Sequence, residues 1–346
     1  MGCENKLWRI TLDTNPEDCN YRCIMCEEHS EFSRFKDDLF VRTGCRHRRM
    51  PVEWIGRIMA EAASIGVSEV IPSTMGEPLL YAGIDELFKH AVRNGLKINL
   101  TTNGSFPGRP IEEWARLIVP IARDVKVSIN GATKNTSEAI MRGSDFERQI
   151  HNIGELVKFR DKVFRECGWY CSLTLQVTFM QNNMGELADI VRLACELGVD
   201  RIKGHHLWTH FREIEHLSMK ASSEGIEKWN QYVKDAFAAL AEHARVLPSG
   251  KMLKLENIVP LDKERGKEIP CEFECPFLGR ELWISATGEI SPCCCPDDKR
   301  QTLGRFGSFP ETSLSDVIGS KEYRTLCNDY RSRDVCRTCN MRRPEQ

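Results

Sequence analysis

The chain has 346 residues, 48 Lys and Arg against 50 Asp and Glu, and a formal net charge of -2. That length accommodates one large domain plus a small one. The charge balance excludes a global basic field that would draw nucleic acid or an anionic membrane, so an anionic ligand must be caught locally. The opening MGCENKLWRI has no apolar signal region, and no stretch approaches the roughly 18 apolar residues a membrane span needs. A cytoplasmic enzyme is therefore expected. Cysteine usage is the departure: sixteen, eight of them between 271 and 339. Without a secretory signal, that density points to metal ligation rather than disulfides.

In chain order, a strand-like run at 7–13 (LWRITLD) leads into a loop carrying Cys19, Cys23 and Cys26. Residues 27–50 form a long first connection with Arg42, Arg46, His47, Arg48 and Arg49, which suits a solvated basic loop or an anion clamp. Period-2 apolar patterning predicts further strands at 68–72, 97–102, 125–130 and 172–180, and a weaker one at 201–207. Helical periodicity predicts helices at 51–65, 84–94, 110–121, 134–163, 184–197 and 223–246. Alternating strands and helices imply parallel βα units, hence an open barrel or a doubly wound sheet. Ligands in such folds sit at the carboxyl ends of the strands, where the cysteine loop lies.

After about residue 250 the texture changes to charged KERGKE (263–268) and short cysteine-rich elements. ELWISATGEISPCCC reads as a hairpin turning at Thr287-Gly288. A helix entered through Ser313 or Ser315 spans 313–327, and CRTC closes the region. The expected division is a barrel over 1–250, with its cluster loop at 14–50, and a small α+β domain over 251–346.

Cys19-x3-Cys23-x2-Cys26 offers three thiolates from one loop, which suits three corners of a 4Fe-4S cluster with the fourth iron open to a small molecule. A zinc site completed by His29 or Cys45, or buried structural cysteines, would also use such residues. Three later segments recur in order: STMGEPLL (73–80), LTTNG (100–104) and VSINGATKNTSEAIMRGSDF (127–146). With the cysteine loop, these resemble the signature of the radical S-adenosylmethionine (SAM) enzymes, across about 8–207 as a core. The first segment has Met75 where that family has a glycine.

The resemblance implies a partial (β/α)6 TIM-like barrel in which SAM chelates the open iron of a 4Fe-4S cluster on Cys19, Cys23 and Cys26. Gly76, Glu77 and Pro78 would face the SAM ammonium group, Met25 the adenine, and Ser128 and Arg142 the ribose, with Thr102 and Asn103 at the third strand's end. A reducing partner such as flavodoxin or ferredoxin would deliver the electron that cleaves SAM to a 5'-deoxyadenosyl radical.

Cys275-x12-Gly288-x4-Cys293, followed by a helix and Cys336-x2-Cys339, resembles the Twitch form of the SPASM domain. That implies one auxiliary 4Fe-4S cluster on Cys275, Cys293, Cys336 and Cys339. On the residues alone, a four-cysteine zinc ribbon is the other reading. Cys271 could replace one ligand, and Cys327 suits a buried helical position. Cys294 and Cys295 stand beside Cys293, where a thiol could return hydrogen to a carbon radical. Candidate bases are Glu28, His29, His205, His206 and His210.

The first strand begins near residue 7, leaving no room for the leader-binding domain that peptide modifiers often carry. The resemblance to sugar- and aminocyclitol-modifying members then implies a sugar, oligosaccharide or aminocyclitol substrate in natural-product biosynthesis. Epimerisation with a Cys hydrogen donor is expected. The alternatives are dehydrogenation to a ketone, with the auxiliary cluster as electron acceptor, and peptide modification.

Overall fold

A computed structural model of the protein describes residues 7–73, 75–262, 269–295, 297–339 and 341–342. The KERGKE segment lies outside these residues. Six strands are neighbours in space in the order they occur in the chain: β1 (Arg9–Leu12), β2 (Glu69–Ile71), β3 (Lys97–Thr102), β4 (Ala122–Ser128), β5 (Ser172–Phe179) and β6 (Arg201–His206). All five pairings are parallel. A doubly wound sheet reverses its order at a switch point. This sheet does not, so right-handed crossovers put every helix on one side and the sheet curls into an open (β/α)6 TIM-like barrel.

The helices of the barrel are α1 (Phe35–Thr43), within the long first connection, and α2 (Val52–Ser64), α3 (Ile84–Arg93), α4 (Ile111–Ile118), α5 (Lys134–Ile140), α6 (Phe146–Cys167), α7 (Leu187–Leu197) and α8 (Ser223–His243). In α2, Ile55, Ile58, Met59 and Ala62 are fully buried at helical spacing. Burial of each large apolar side chain contributes about 1.5–3 kcal/mol.

The bore is polar where its outer shell is apolar. Near the amino ends of the strands Arg9 pairs with Glu281 (2.6 Å) and Glu69 (3.4 Å), Asn99 donates to Glu69, and Arg201 bridges Asp124 (2.6 Å) and Glu256 (3.2 Å). These pairs fill the floor of the barrel. The carboxyl-end mouth is left for ligands.

Three strands extend the sheet. β7 (Lys254–Glu256), absent from the sequence expectations because it spans only three residues, pairs with β6. On the other side β8 (Glu281–Ile284) runs parallel to β1, with Arg9 opposite Glu281 and Leu12 opposite Ile284, and turns back as β9 (Ile290–Ser291). The turn falls at Thr287-Gly288, where Gly288 has φ 91°. A Cβ there would lie 2.1 Å from the Phe309 carbonyl oxygen. Short helices complete the C-terminal region, among them α9 (Leu314–Gly319), α10 (Lys321–Asp329) and α11 (Asp334–Arg337).

Two predicted helices are each divided. The helix expected over 134–163 breaks between α5 and α6, where Met141-Arg142 forms a two-residue ladder with Arg22-Cys23. Gly143 takes φ 86°, and the Asp145 side chain caps α6 by accepting from Arg148 N. The helix expected over 313–327 breaks at Ser320, whose extended backbone and hydroxyl cap α10 through Tyr323 N.

Candidate active site

The cysteine loop leaves β1 and is held by the ends of the next two strands. Gly76 sits at φ 72°, and a Cβ there would lie 2.4 Å from Asn15 O, 2.9 Å from Pro16 O and 2.8 Å from Asp18 O. Glu77 N donates to Asp18 O (2.7 Å), and Asn15 Nδ2 donates to Glu77 O (2.9 Å). The Glu77 carboxylate is buried and accepts from Asn103 N (2.7 Å), Thr102 Oγ1 (2.8 Å) and Leu79 N (3.3 Å). Burial outweighs these bonds and pushes its pKa up to about 7. Asn103 Nδ2 reaches Asn20 Oδ1 (2.8 Å) and lies 3.8 Å from Cys19 Sγ. Gly76, Glu77, Thr102 and Asn103 thus form one hydrogen-bonded seat for the loop, which Pro78 follows as a buried residue. Gly76→Ala is expected to cost at least 1–3 kcal/mol, roughly, from backbone strain alone. A lower thermal midpoint of the apoprotein is the measurement.

Cys23 is fixed by its ladder to Met141, and Cys26 N donates to Cys23 O. Burial raises the pKa of all three thiols, to about 12 for Cys26, and the other two thiols add to the rise at Cys23. Such a group resists ionisation with protons alone. Iron, which takes the thiolate form, resolves the conflict, so the donor set fits a cluster. Tyr21, Ile24, Met180 and Leu207 wall the loop, and half-buried Met25 packs against them. Ser128 is half-buried at the end of β4. Arg142 is exposed and pairs with Glu31.

A cavity of about 340 Å³ opens between this loop and the C-terminal region, lined among others by Glu28, His205, Trp208, Trp283, Cys294 and Cys295. The neighbouring candidates divide by strand and loop geometry. His205 and His206 are consecutive on β6 and point to opposite faces. His205 opens to the cavity, 3.4 Å from Gln176 Nε2; the surrounding protein, and then Lys203, lower its pKa. His206 faces the helices, between Phe179 (5.4 Å) and Trp229 (4.8 Å), where burial lowers its pKa to about 3. His206 is therefore half-buried against the helices and, unlike His205, does not line the mouth cavity. His210 lines the cavity and stacks on Trp208.

Glu28 lines the cavity, but His29 turns back into the loop, its Nε2 2.9 Å from Pro16 O. Burial lowers the His29 pKa to about 4 from an ordinary 6.5. Between those values the unfolded chain binds the extra proton, so stability falls as pH drops from about 6.5 through about 4. His29→Gln keeps a donor for Pro16 and is expected to flatten that slope in apoprotein melts across pH.

Beyond the cavity lies a second, smaller one of about 50 Å³, lined by Cys275, Cys293, Cys336 and Cys339 with Leu278, Leu303, Tyr330 and Val335. Cys275 N donates to the Tyr330 hydroxyl, and Cys339 N to Cys336 O. Cys294 and Cys295 line both cavities, as does Trp208, and so partition them. The Cys294 and Cys295 thiols beside it lower the Cys293 pKa, and Cys293 in turn raises theirs. Cys271 is exposed, and neither it nor half-buried Cys327 lines the small cavity. Among the described residues no three His, Cys, Asp or Glu side chains converge on a single-ion site. The four thiols surround an apolar void instead, which fits a cluster whose ligands each hold a different iron.

The radical SAM superfamily matches residues 16–167, and the iron-sulfur cluster-binding domain SPASM matches residues 275–340. The chain carries a radical SAM domain and a SPASM domain. The radical SAM domain binds SAM and a 4Fe-4S cluster, and the SPASM domain binds auxiliary iron-sulfur clusters. A GTP 3',8-cyclase of Clostridium perfringens is 24% identical over 302 residues, 86% of this chain and 77% of the relative. A PqqA peptide cyclase of Methylorubrum extorquens is 24% identical over 290 residues, 79% of this chain and 68% of the relative. Streptococcus suis SuiB bound to S-adenosylmethionine superposes with TM-score 0.65 at 15% identity, covering 97% of this chain and 72% of that one. Tagged anSMEcpe with bound AdoMet gives 0.62 at 14% identity, covering 97% and 85%. These two likenesses show the fold.

The sequence relatives are a nucleotide cyclase and a peptide cyclase, so the expected kinship with sugar or aminocyclitol epimerases and dehydrogenases of the radical SAM family is not supported. Among the described residues no helix is long and apolar enough to cross a membrane. Sequence reasoning missed Trp208 and Trp283 in the cavity wall. Each stands alone in its segment, and only folding brings the two together.

Proposed function

We propose that this protein modifies a peptide, with Cys19, Cys23 and Cys26 holding the radical SAM cluster and Cys275, Cys293, Cys336 and Cys339 one auxiliary cluster. The PqqA peptide cyclase relatives support a peptide, and the observation that carries it over a nucleoside triphosphate is the charge of the cavity. Asp13, Glu27, Glu28 and Glu289 line it against Arg48 and Arg300, and Arg48 is clamped by Glu17. A triphosphate entering such a wall meets net repulsion. Trp283, 8% exposed, has an indole N–H with no acceptor among the described residues, which suits a peptide carbonyl oxygen.

Bound SAM and its cluster, reduced by a flavodoxin or ferredoxin, supply hydrogen-atom abstraction from an unactivated carbon. The residues of the chain then do the rest. Trp208 and Trp283 hold the substrate, Glu28 and His205 stand where a proton released on ring closure would go, and Cys275, Cys293, Cys336 and Cys339 would hold the cluster that accepts the electron released with it. The Cys294-Cys295 wall separates substrate from the auxiliary site. Glu28→Gln is expected to lower product formed per 5'-deoxyadenosine by about 10²-fold while SAM cleavage continues.

The deciding experiment uses anaerobically reconstituted protein with SAM and dithionite. Peptides, GTP and aminocyclitols are compared as stimulants of 5'-deoxyadenosine formation. A peptide product lacking two hydrogens supports the reading; stimulation by GTP or an aminocyclitol alone sinks it.

A further inference from the structure

A buried cation with no carboxylate partner among the described residues lies against the SPASM cavity. Arg342 is 4% exposed. Its Nε donates to Phe273 O (2.9 Å), its Nη1 to Cys336 O (3.2 Å), and its Nη2 to Pro270 O (2.9 Å), Cys271 O (3.0 Å) and Phe273 O (2.7 Å). Every side-chain bond ends on a neutral carbonyl, and among the described residues no carboxylate pairs with it. The Tyr330 ring, its centroid 5.8 Å from Cζ, is the other neutral group against it, and a buried guanidinium so held is costly unless an anion stands close. Arg342 lines the same small cavity as Cys275, Cys293, Cys336 and Cys339, within electrostatic range of Cys336 and Cys339. A 4Fe-4S cluster on four thiolates carries net negative charge in both of its usual oxidation states, and reduction adds one electron and one further negative charge.

We propose that Arg342 is the counter-ion of the auxiliary cluster and holds its reduction potential up, so that the cluster accepts an electron more readily. A fixed cation in a low-dielectric wall stabilises the more negative, reduced form more than the oxidised one. The carbonyl bonds give the same side chain a second task. They lash the 270–273 segment to the Cys336 turn and so keep the charge beside the thiols.

The proposal rests on the four-cysteine ligand reading, and the test separates the two. The parent protein is the holoprotein with Cys19, Cys23 and Cys26 changed to alanine, so that only auxiliary iron remains. Arg342→Gln and Arg342→Lys are made in it and titrated anaerobically with dithionite and mediators, following visible absorbance and the EPR signal of the reduced form. The expected result is unchanged iron and sulfide, a more negative midpoint for Arg342→Gln, and a midpoint near the parent's for Arg342→Lys. An unmoved midpoint in Arg342→Gln at equal iron content overturns the proposal. A parent lacking iron overturns the ligand reading and the proposal with it. If Arg342→Gln fails to hold iron, Arg342→Lys decides: a cluster kept at the parent's midpoint supports the charge, and a lost cluster or shifted midpoint assigns Arg342 to backbone support alone.

Discussion

Changing Cys19, Cys23 and Cys26 together to alanine is expected to abolish 5'-deoxyadenosine formation while leaving the iron of the SPASM domain in place. The reason is the separation of the two cysteine sets. The first three thiols sit in one loop between the Gly76-Glu77 seat and the Cys23–Met141 ladder. The other four surround a void on the far side of the Cys294-Cys295 wall. Cys45, also within the 14–50 loop, is exposed and its Sγ is engaged with His47 O, so it is not expected to replace a lost ligand. Chromatography of the SAM cleavage products, with iron and sulfide assays on the same sample, checks both halves. Continued 5'-deoxyadenosine formation above the protein-free background would refute the assignment of the loop.

The second large effect is expected from Cys275→Ala combined with Cys336→Ala. On the proposed ligand set two of four ligands vanish, and the metal's contribution to folding of the region goes with them. SAM cleavage is expected to continue because the first loop is untouched. Product per 5'-deoxyadenosine is expected to fall by at least about 10²-fold, as when a required participant in the chemical step is removed. Cys271→Ala is the matched control. Its thiol is exposed and outside the cavity, so full iron content and full product yield are expected. If the double variant turns over normally, the four cysteines are structural and the electron leaves by another route.

Much of this was legible in the sequence for identifiable reasons. Parallel strands buried on one face alternate or run apolar, so the six barrel strands announced themselves. Cys19-x3-Cys23-x2-Cys26 is a local pattern, and local patterns survive without a fold. Failures came where local and tertiary signals compete. Apolar periodicity runs across 134–163, but Gly143 and the Asp145 cap cut it, because Met141 is needed beside Cys23. His205 and His206 look equivalent as letters, and the pleat alone sends one to the mouth and the other to the helices. The substrate class was not legible for a different reason: the residues lining the cavity come from β1, β6, β8 and their loops, so its charge is a property of the assembled wall.

The ladder between β1 and β8 bears on any attempt to shorten this enzyme. Arg9–Leu12 spends its outer hydrogen bonds on Glu281–Ile284, and Asp13 N reaches Ile284 O at 2.9 Å. Truncation before residue 270 would strip that partner and leave β1 as a bare lateral edge, with Glu281, the carboxylate that pairs with Arg9, gone as well. Exposed edges of this kind recruit other chains. A shortened chain is thus more apt to self-associate through β1 than to survive as a minimal catalyst, and the radical-generating half is not a detachable module.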